Sequence, residues 1–402
     1  MKSFFNKYVE FVRQPDVGRL LLAALLSRMP IGMLGFSMLM FLRECLGDFT
    51  QAGTAVGIDF VATAIGAPVV GRIVDRHGPR RVSYVTGTVM PLALVGVLVA
   101  AKMGLPFTVI AIFAAITGAF STPVTTLTRA MWRHRFDREE DRRTAFALDA
   151  VTIEINFTLG PAIVAALLAT LGATFAFGAS IAVVVFSFIV FMSSPALRYF
   201  KKGEGGERHL LGPLTDVRLW LIFAATFGLT VSLGLLEVGY PAYGVALASP
   251  ALGGILLGIN SIGSAIGGAI YGGLHFRMPV ERQFACAMGL MAIWLVLHAF
   301  ATTFVAFATV AFLAGALIAP SIASQSVLVS RLAPVRYATE AFTWSSTFII
   351  SGIGAGIAFG GFLAETAGLR PVFVASGAVA ASMALVALLI SAPHPETARA
   401  EG

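Results

Sequence analysis

The chain has 402 residues, of which 57% are hydrophobic and 12% charged; soluble domains carry roughly 25% charge. A soluble chain of this length would form two or three domains with polar surfaces, and there are too few charges here to coat them. The net charge of +7 raises a nucleic-acid partner, but the basic residues sit between apolar runs, with no continuous stripe and no aromatic platform, which excludes it.

In chain order, Lys2, Lys7, Arg13 and Arg19 look like the charged start of a signal peptide. The apolar run 20–42 that follows is too long for one, and no small-residue cleavage site succeeds it, so it is read as the first membrane span. A span needs about 20 apolar residues. Five more are predicted at 52–71, 82–101, 105–127, 146–170 and 174–194. After a charged, glycine-containing break come 219–241, 250–273, 283–301, 303–327, 340–364 and 371–391. The expected fold class is an all-α membrane protein of twelve transmembrane helices, with bundles over 1–195 and 218–402 joined by a linker, 196–217.

Positive residues concentrate in cytoplasmic loops. With the N-terminus inside, 24 Lys and Arg fall on the cytoplasmic side and three (Arg43, Lys102 and Arg370) outside. Both termini and the linker are therefore expected in the cytoplasm. The halves also echo each other at an offset of about 200 residues: Asp16-Val17-Gly18-Arg19-Leu20 matches Asp216-Val217-Arg218-Leu219, Gly66 and Gly71 match Gly267 and Gly272, and Gly160 matches Gly356. Parallel six-helix repeats are one transporter plan.

After the second span the chain reads Gly71-Arg72-Ile73-Val74-Asp75-Arg76-His77-Gly78-Pro79-Arg80-Arg81. This resembles the signature loop between helices two and three of the major facilitator superfamily, Gly-x-x-x-Asp-Arg-x-Gly followed by basic residues. Glycines allow a tight turn and close helix approach, and Asp75 can accept charge-assisted hydrogen bonds from arginines. The resemblance implies a conformational latch made of Gly71, Arg72, Asp75, Arg76, Gly78 and Arg80. The second-half copy has Phe276 where the acid should stand. Gly160-Pro161 is similar to part of the antiporter signature of the fifth helix, with Val164-Ala165 in place of paired glycines; a proline kink serving packing is the other reading.

The resemblance further implies two six-helix bundles related by a pseudo-two-fold, alternating access to a substrate held between them, and a monomer in the bacterial cytoplasmic (inner) membrane. Partners would be a small-molecule substrate, protons and the lipid bilayer.

Ionisable residues inside a bilayer are costly and usually functional. Arg28 lies about 14 Å along the helix from Arg19, and Asp59 about 16 Å before Val70. Both depths are near the middle of a roughly 30 Å core, and neighbouring spans allow them to pair. Such a pair would serve proton coupling or be a permanent structural salt bridge. Asp59, Thr63 and Gly66 share one face. Glu154 has Thr158 one turn on and no cation within its span, so desolvation favours its neutral form and makes it the leading proton carrier; satisfaction by neighbouring hydroxyls or backbone is the alternative. Asp149 and Glu340 are expected near cytoplasmic helix ends as caps or loop partners, Glu237 near the outer mouth, and His298 as a packing residue.

In the second half Asn260, Ser264 and Gly267 align, as do Ser321 and Gln325, and Thr343, Thr347 and Ser351 beside Trp344. Arg28, Asp59, Glu154, Asn260, Ser264, Gln325 and Trp344 are thus the expected substrate cavity, unless the small polar groups serve only helix packing. Cys45 and Cys286 have no metal spacing, and no Walker loop, enzyme signature or cofactor motif is present. The expected function is proton-coupled secondary transport exporting hydrophobic or amphipathic small molecules. The alternatives are an uptake or uniport carrier of a small polar metabolite and a non-transporting membrane sensor or scaffold.

Overall fold

The computed structural model describes residues 11–122, 124–136, 138–195, 216–274, 276–333 and 338–390. Among these every regular element is a helix. Ten helices are long and apolar enough to cross a membrane among the described residues. Their outer faces are apolar: Val85, Leu92, Val95 and Val99 are all exposed and recur at helical spacing. Such a stripe would be a liability in water and suits contact with lipid chains.

Local chemistry sets most boundaries. The helices are α1 (Val17–Ser27), α2 (Met29–Leu46), α3 (Phe49–His77), α4 (Pro79–Lys102), α5 (Phe107–Ala119), α6 (Val124–Arg135) and α7 (Glu139–Ser193). They continue as α8 (Val217–Ala246), α9 (Ala251–Gly273), α10 (Val280–Leu297), α11 (Phe304–Gly315), α12 (Ile318–Leu332), α13 (Ala338–Thr366) and α14 (Leu369–Leu388). The Asp48 carboxylate accepts from the Gln51 N–H at 2.7 Å and caps α3. Thr303 caps α11 in the same way. Pro79 occupies the first turn of α4, where its missing N–H costs nothing.

Several predicted spans are interrupted. The first is two helices joined at Arg28, because Pro30 cannot donate to the Leu26 carbonyl four residues back. The Ser187 hydroxyl donates to that freed carbonyl at 2.9 Å, and the Asn156 amide donates to the Leu25 carbonyl at 3.1 Å. The fourth predicted span splits into α5 and α6, since Ser121-Thr122-Pro123 disfavours helix before its proline. The fifth and sixth run together as α7. Its apolar part, Thr144–Ser193, has 50 residues, about 75 Å along a helix and more than twice a roughly 30 Å core. Gly172, with φ +82°, breaks it; only glycine adopts that backbone without strain.

By packing, the chain divides into two compact units, Met1–Gly206 with Pro241–Gly258, and Glu207–Tyr240 with Ile259–Gly402. In the first, α7 packs on α1, α2 and α4, and α5 packs on α3 and α4. An aromatic and aliphatic cluster including Phe11, Trp132, Phe136 and Phe191 closes one end. In the second, α10 packs on α12 and α14.

Candidate functional site

The most elaborate buried polar group is centred on Arg28, in the first unit. The break between α1 and α2 places it at the head of α2, with its side chain 0% exposed. Its partner is Asp149 rather than the expected Asp59. Arg28 Nη1 donates to Asp149 Oδ1 at 2.8 Å and Nη2 to Oδ2 at 3.2 Å, a bidentate pairing. Nη1 also donates to the Thr152 hydroxyl at 3.1 Å, and Trp132 Nε1 donates to Asp149 Oδ1 at 3.0 Å. Within this group Arg28 Nε has no hydrogen-bond partner among the described residues. Asp149 is therefore not the helix-end cap expected of it: α7 begins at Glu139, which sets Asp149 about 15 Å into the helix. Asp149 and Trp132 were missed because both fell beside a run of arginines that reads as a cytoplasmic loop.

With Arg28 engaged elsewhere, Asp59 stands alone. It is 8% exposed on α3 and makes no ion pair or hydrogen bond among the described residues. Its face does meet a neighbour: Gly118 of α5 lies against the Asp59 backbone and Thr63, and Gly66 lies against Ala119. Glu154 is half-buried on α7. It too makes no hydrogen bond or ion pair among the described residues. Thr152 and Asn156, on either side of it, are turned to Arg28 and the Leu25 carbonyl.

In the second unit the amides are already occupied. Asn260 Nδ2 donates to the Ala311 carbonyl at 2.9 Å and to the Tyr240 hydroxyl at 3.4 Å. Gln325 Nε2 donates to the Ser345 hydroxyl at 2.7 Å. Ser264 is buried on the Asn260 face of α9, and Trp344 packs toward Phe348 on α13. His298 is buried, stacked 4.9 Å from Phe373, and hydrogen-bonded to the Tyr240 hydroxyl at 3.3 Å. This Tyr240–His298–Asn260 group joins α8, α9 and the 3-10 turn His298–Phe300 that follows α10; the sequence singled out Asn260 and His298 separately, and nothing in it linked them to Tyr240. Glu237 is half-buried and Glu340 buried.

The expected latch is not a loop. Gly71, Arg72, Asp75 and Arg76 lie in the last turns of α3, and Arg80 in the first turn of α4. Gly78 alone joins the two helices, at φ +83°. Arg72, Arg76 and Arg80 are exposed; the side chain of Asp75 lies outside the described part of the structure, as do Lys2, Lys7 and residues 196–215 of the linker. No group of three or more His, Cys, Asp or Glu that could hold a metal occurs among the described residues.

The family profile of the Major Facilitator Superfamily matches residues 20–279 and 222–402. No curated protein matches the chain by sequence. The fold is similar to that of the nucleoside transporter NupG, with a TM-score of 0.75 at 14% identity, covering 92% of this chain and 98% of that one. It is equally similar to a bacterial homologue of the iron transporter ferroportin in its inward-facing state, with a TM-score of 0.74 at 16% identity, covering 94% of this chain and 98% of that one. The packed multi-pass helices and the profile match over nearly the whole length agree: this chain belongs to the Major Facilitator Superfamily, and it is a membrane transporter rather than an enzyme.

Proposed function

We propose that the chain is a proton-coupled secondary transporter that exports hydrophobic or amphipathic small molecules by alternating access. The observation that carries this reading is the division of polar groups. The carboxyls of Asp59 and Glu154 have no partner among the described residues, which leaves them able to take up and release protons. The amides that would recognise a polar substrate, Asn260 and Gln325, already donate to Ala311 and Ser345. Recognition then falls mainly to apolar contact. Glu154 is the proton carrier in this reading, and Arg28 holds the helix that carries it. Arg28, Asp59, Glu154, Asn260, Ser264, Gln325 and Trp344 remain the proposed cavity residues. The proteins of similar fold are a nucleoside transporter and a homologue of an iron transporter, and uptake of a polar metabolite is the second reading. Uptake of a compound panel by inverted vesicles under an imposed pH gradient separates them. Accumulation of lipophilic cations and dyes supports export, and movement of nucleosides or divalent iron alone rejects it.

The proposed topology has twelve crossings in two six-helix bundles related by a pseudo-two-fold. Gly172 separates two crossings within α7, and α5 followed by α6 supplies one. Both termini and the linker then face the cytoplasm of the bacterial inner membrane, and the monomer is the working unit. Single cysteines placed in the termini, in a background lacking Cys45 and Cys286, should be shielded from impermeant maleimide in intact cells. Labelling of either terminus from outside rejects this arrangement.

The residues Gly71, Arg72, Asp75, Arg76, Gly78 and Arg80 are proposed as the latch that holds the cytoplasmic side closed. A hydrogen bond to a charged group contributes about 1.5–3 kcal/mol, so Asp75→Asn should shift that equilibrium roughly tenfold or more. The transport rate should fall accordingly at unchanged expression; wild-type transport by Asp75→Asn rejects the latch.

A further inference from the structure

The two units repeat the same close helix approaches at constant offsets. In the first, Gly32 faces Gly160, Gly66 faces Ala119, and Gly118 faces the Asp59 backbone. In the second, Gly234 faces Gly356, Gly267 faces Ala316, and Gly315 faces the Asn260 backbone. At each of these glycines a Cβ would run into the opposite backbone. The helix bearing Asp59 maps onto the helix bearing Asn260 with the same offset, 201, at both contacts (Gly66 to Gly267 and Asp59 to Asn260). Its partner maps with an offset of 197 at both (Ala119 to Ala316 and Gly118 to Gly315).

Asp59 and Asn260 therefore hold the same place in their units. Asn260 uses that place to donate to the Ala311 carbonyl, one turn before Gly315. The residue matching Ala311 is Ala114, buried and one turn before Gly118. A carboxylate has only acceptors to offer a carbonyl, whereas a carboxylic acid has one O–H donor. Among the described residues no charge competes for Asp59. Helix α5 has no ionisable residue. Helix α2 has Arg43, Glu44 and Cys45 in its last turn, and α4 has Arg80, Arg81 and Tyr84 in its first two turns and Lys102 at its end. Arg72, Asp75, Arg76 and His77 end α3 itself, and Arg28 is taken by Asp149. None of these bonds to Asp59 among the described residues.

We propose that Asp59 is a proton-binding site whose protonated carboxyl donates to the Ala114 carbonyl, as the Asn260 amide does to Ala311. The role this gives Asp59 in transport rests on the proton-coupled reading above; the binding of the proton does not. The second unit holds, in Asn260, a permanent copy of the protonated form. Loss of the proton would leave a charge facing a carbonyl, so deprotonation should loosen α3 from α5. Of the two carboxyls assigned to coupling, Asp59 and Glu154, this makes Asp59 the one whose protonation changes helix packing.

Infrared pH-difference spectra of the full-length protein in lipid nanodiscs test this. At neutral pH the wild type should show a hydrogen-bonded carboxylic-acid C=O band that shifts in heavy water. Asp59→Asn should lose that band while keeping the wild-type melting temperature, because the amide can make the bond seen at Asn260. Glu154→Gln should retain it. Asn260→Asp should add a second band of the same kind, which keeps the test open should Asp59→Asn fold poorly. An unchanged carboxyl region in Asp59→Asn, or no added band in Asn260→Asp, overturns the proposal. Transport driven by a pH gradient is read in parallel. The band without such transport would reject proton coupling and keep the Asp59 site; such transport without the band would reject the site and keep the coupling.

Discussion

Asp149→Asn is expected to destabilise the folded protein by about 3–5 kcal/mol, the usual cost of leaving one member of a buried ion pair alone. Arg28 is wholly buried and its Nε is already without a partner; the amide oxygen of the variant can still accept one bond, but its NH2 opposes the second guanidinium donor and the buried cation loses its counter-charge. Arg28→Met should cost a similar amount, since Asp149 would keep only the Trp132 N–H. The double variant Arg28→Met with Asp149→Leu should recover most of the loss, because a buried pair replaced by apolar residues of similar volume is often neutral or stabilising. Reversible unfolding in mixed micelles gives the cycle. Strictly additive losses would show that the two side chains do not interact in the folded protein.

Glu154→Gln should reduce accumulation driven by a pH gradient to the level of protein-free vesicles. Glu154 lies ten residues past Thr144, where the candidate span begins, about 15 Å along the helix and near mid-depth of a roughly 30 Å core. The neutral amide mimics the protonated acid but cannot release a proton. Energy-independent exchange of substrate should survive, which separates loss of coupling from loss of binding. Full gradient-driven accumulation by Glu154→Gln would remove it from the coupling step and move the assignment to Asp59.

The sequence by itself determined the class of the molecule. Apolar runs of about 20 residues in a chain with few charges have one stable home, a bilayer, where each helix satisfies its own backbone. The Gly71–Arg81 pattern and the echo between the halves pointed to the family for local reasons, because close backbone approach demands glycine at particular positions on each helix. The tertiary structure decided which charges meet. Consecutive spans made Asp59 the natural partner for Arg28, but Pro30 breaks the first helix at Arg28 and turns the guanidinium toward α7. Helix α7 starts early enough to bring Asp149 to the same depth, and Trp132 joins from a segment that reads as a loop. None of these is a property of any one helix: each depends on where a break in one meets the start of another. The correspondence of Asp59 with Asn260 was present as an offset in the sequence. Only the Asn260–Ala311 bond gave it a chemical meaning, because a hydrogen bond between two helices depends on how they pack and not on the residues of either alone.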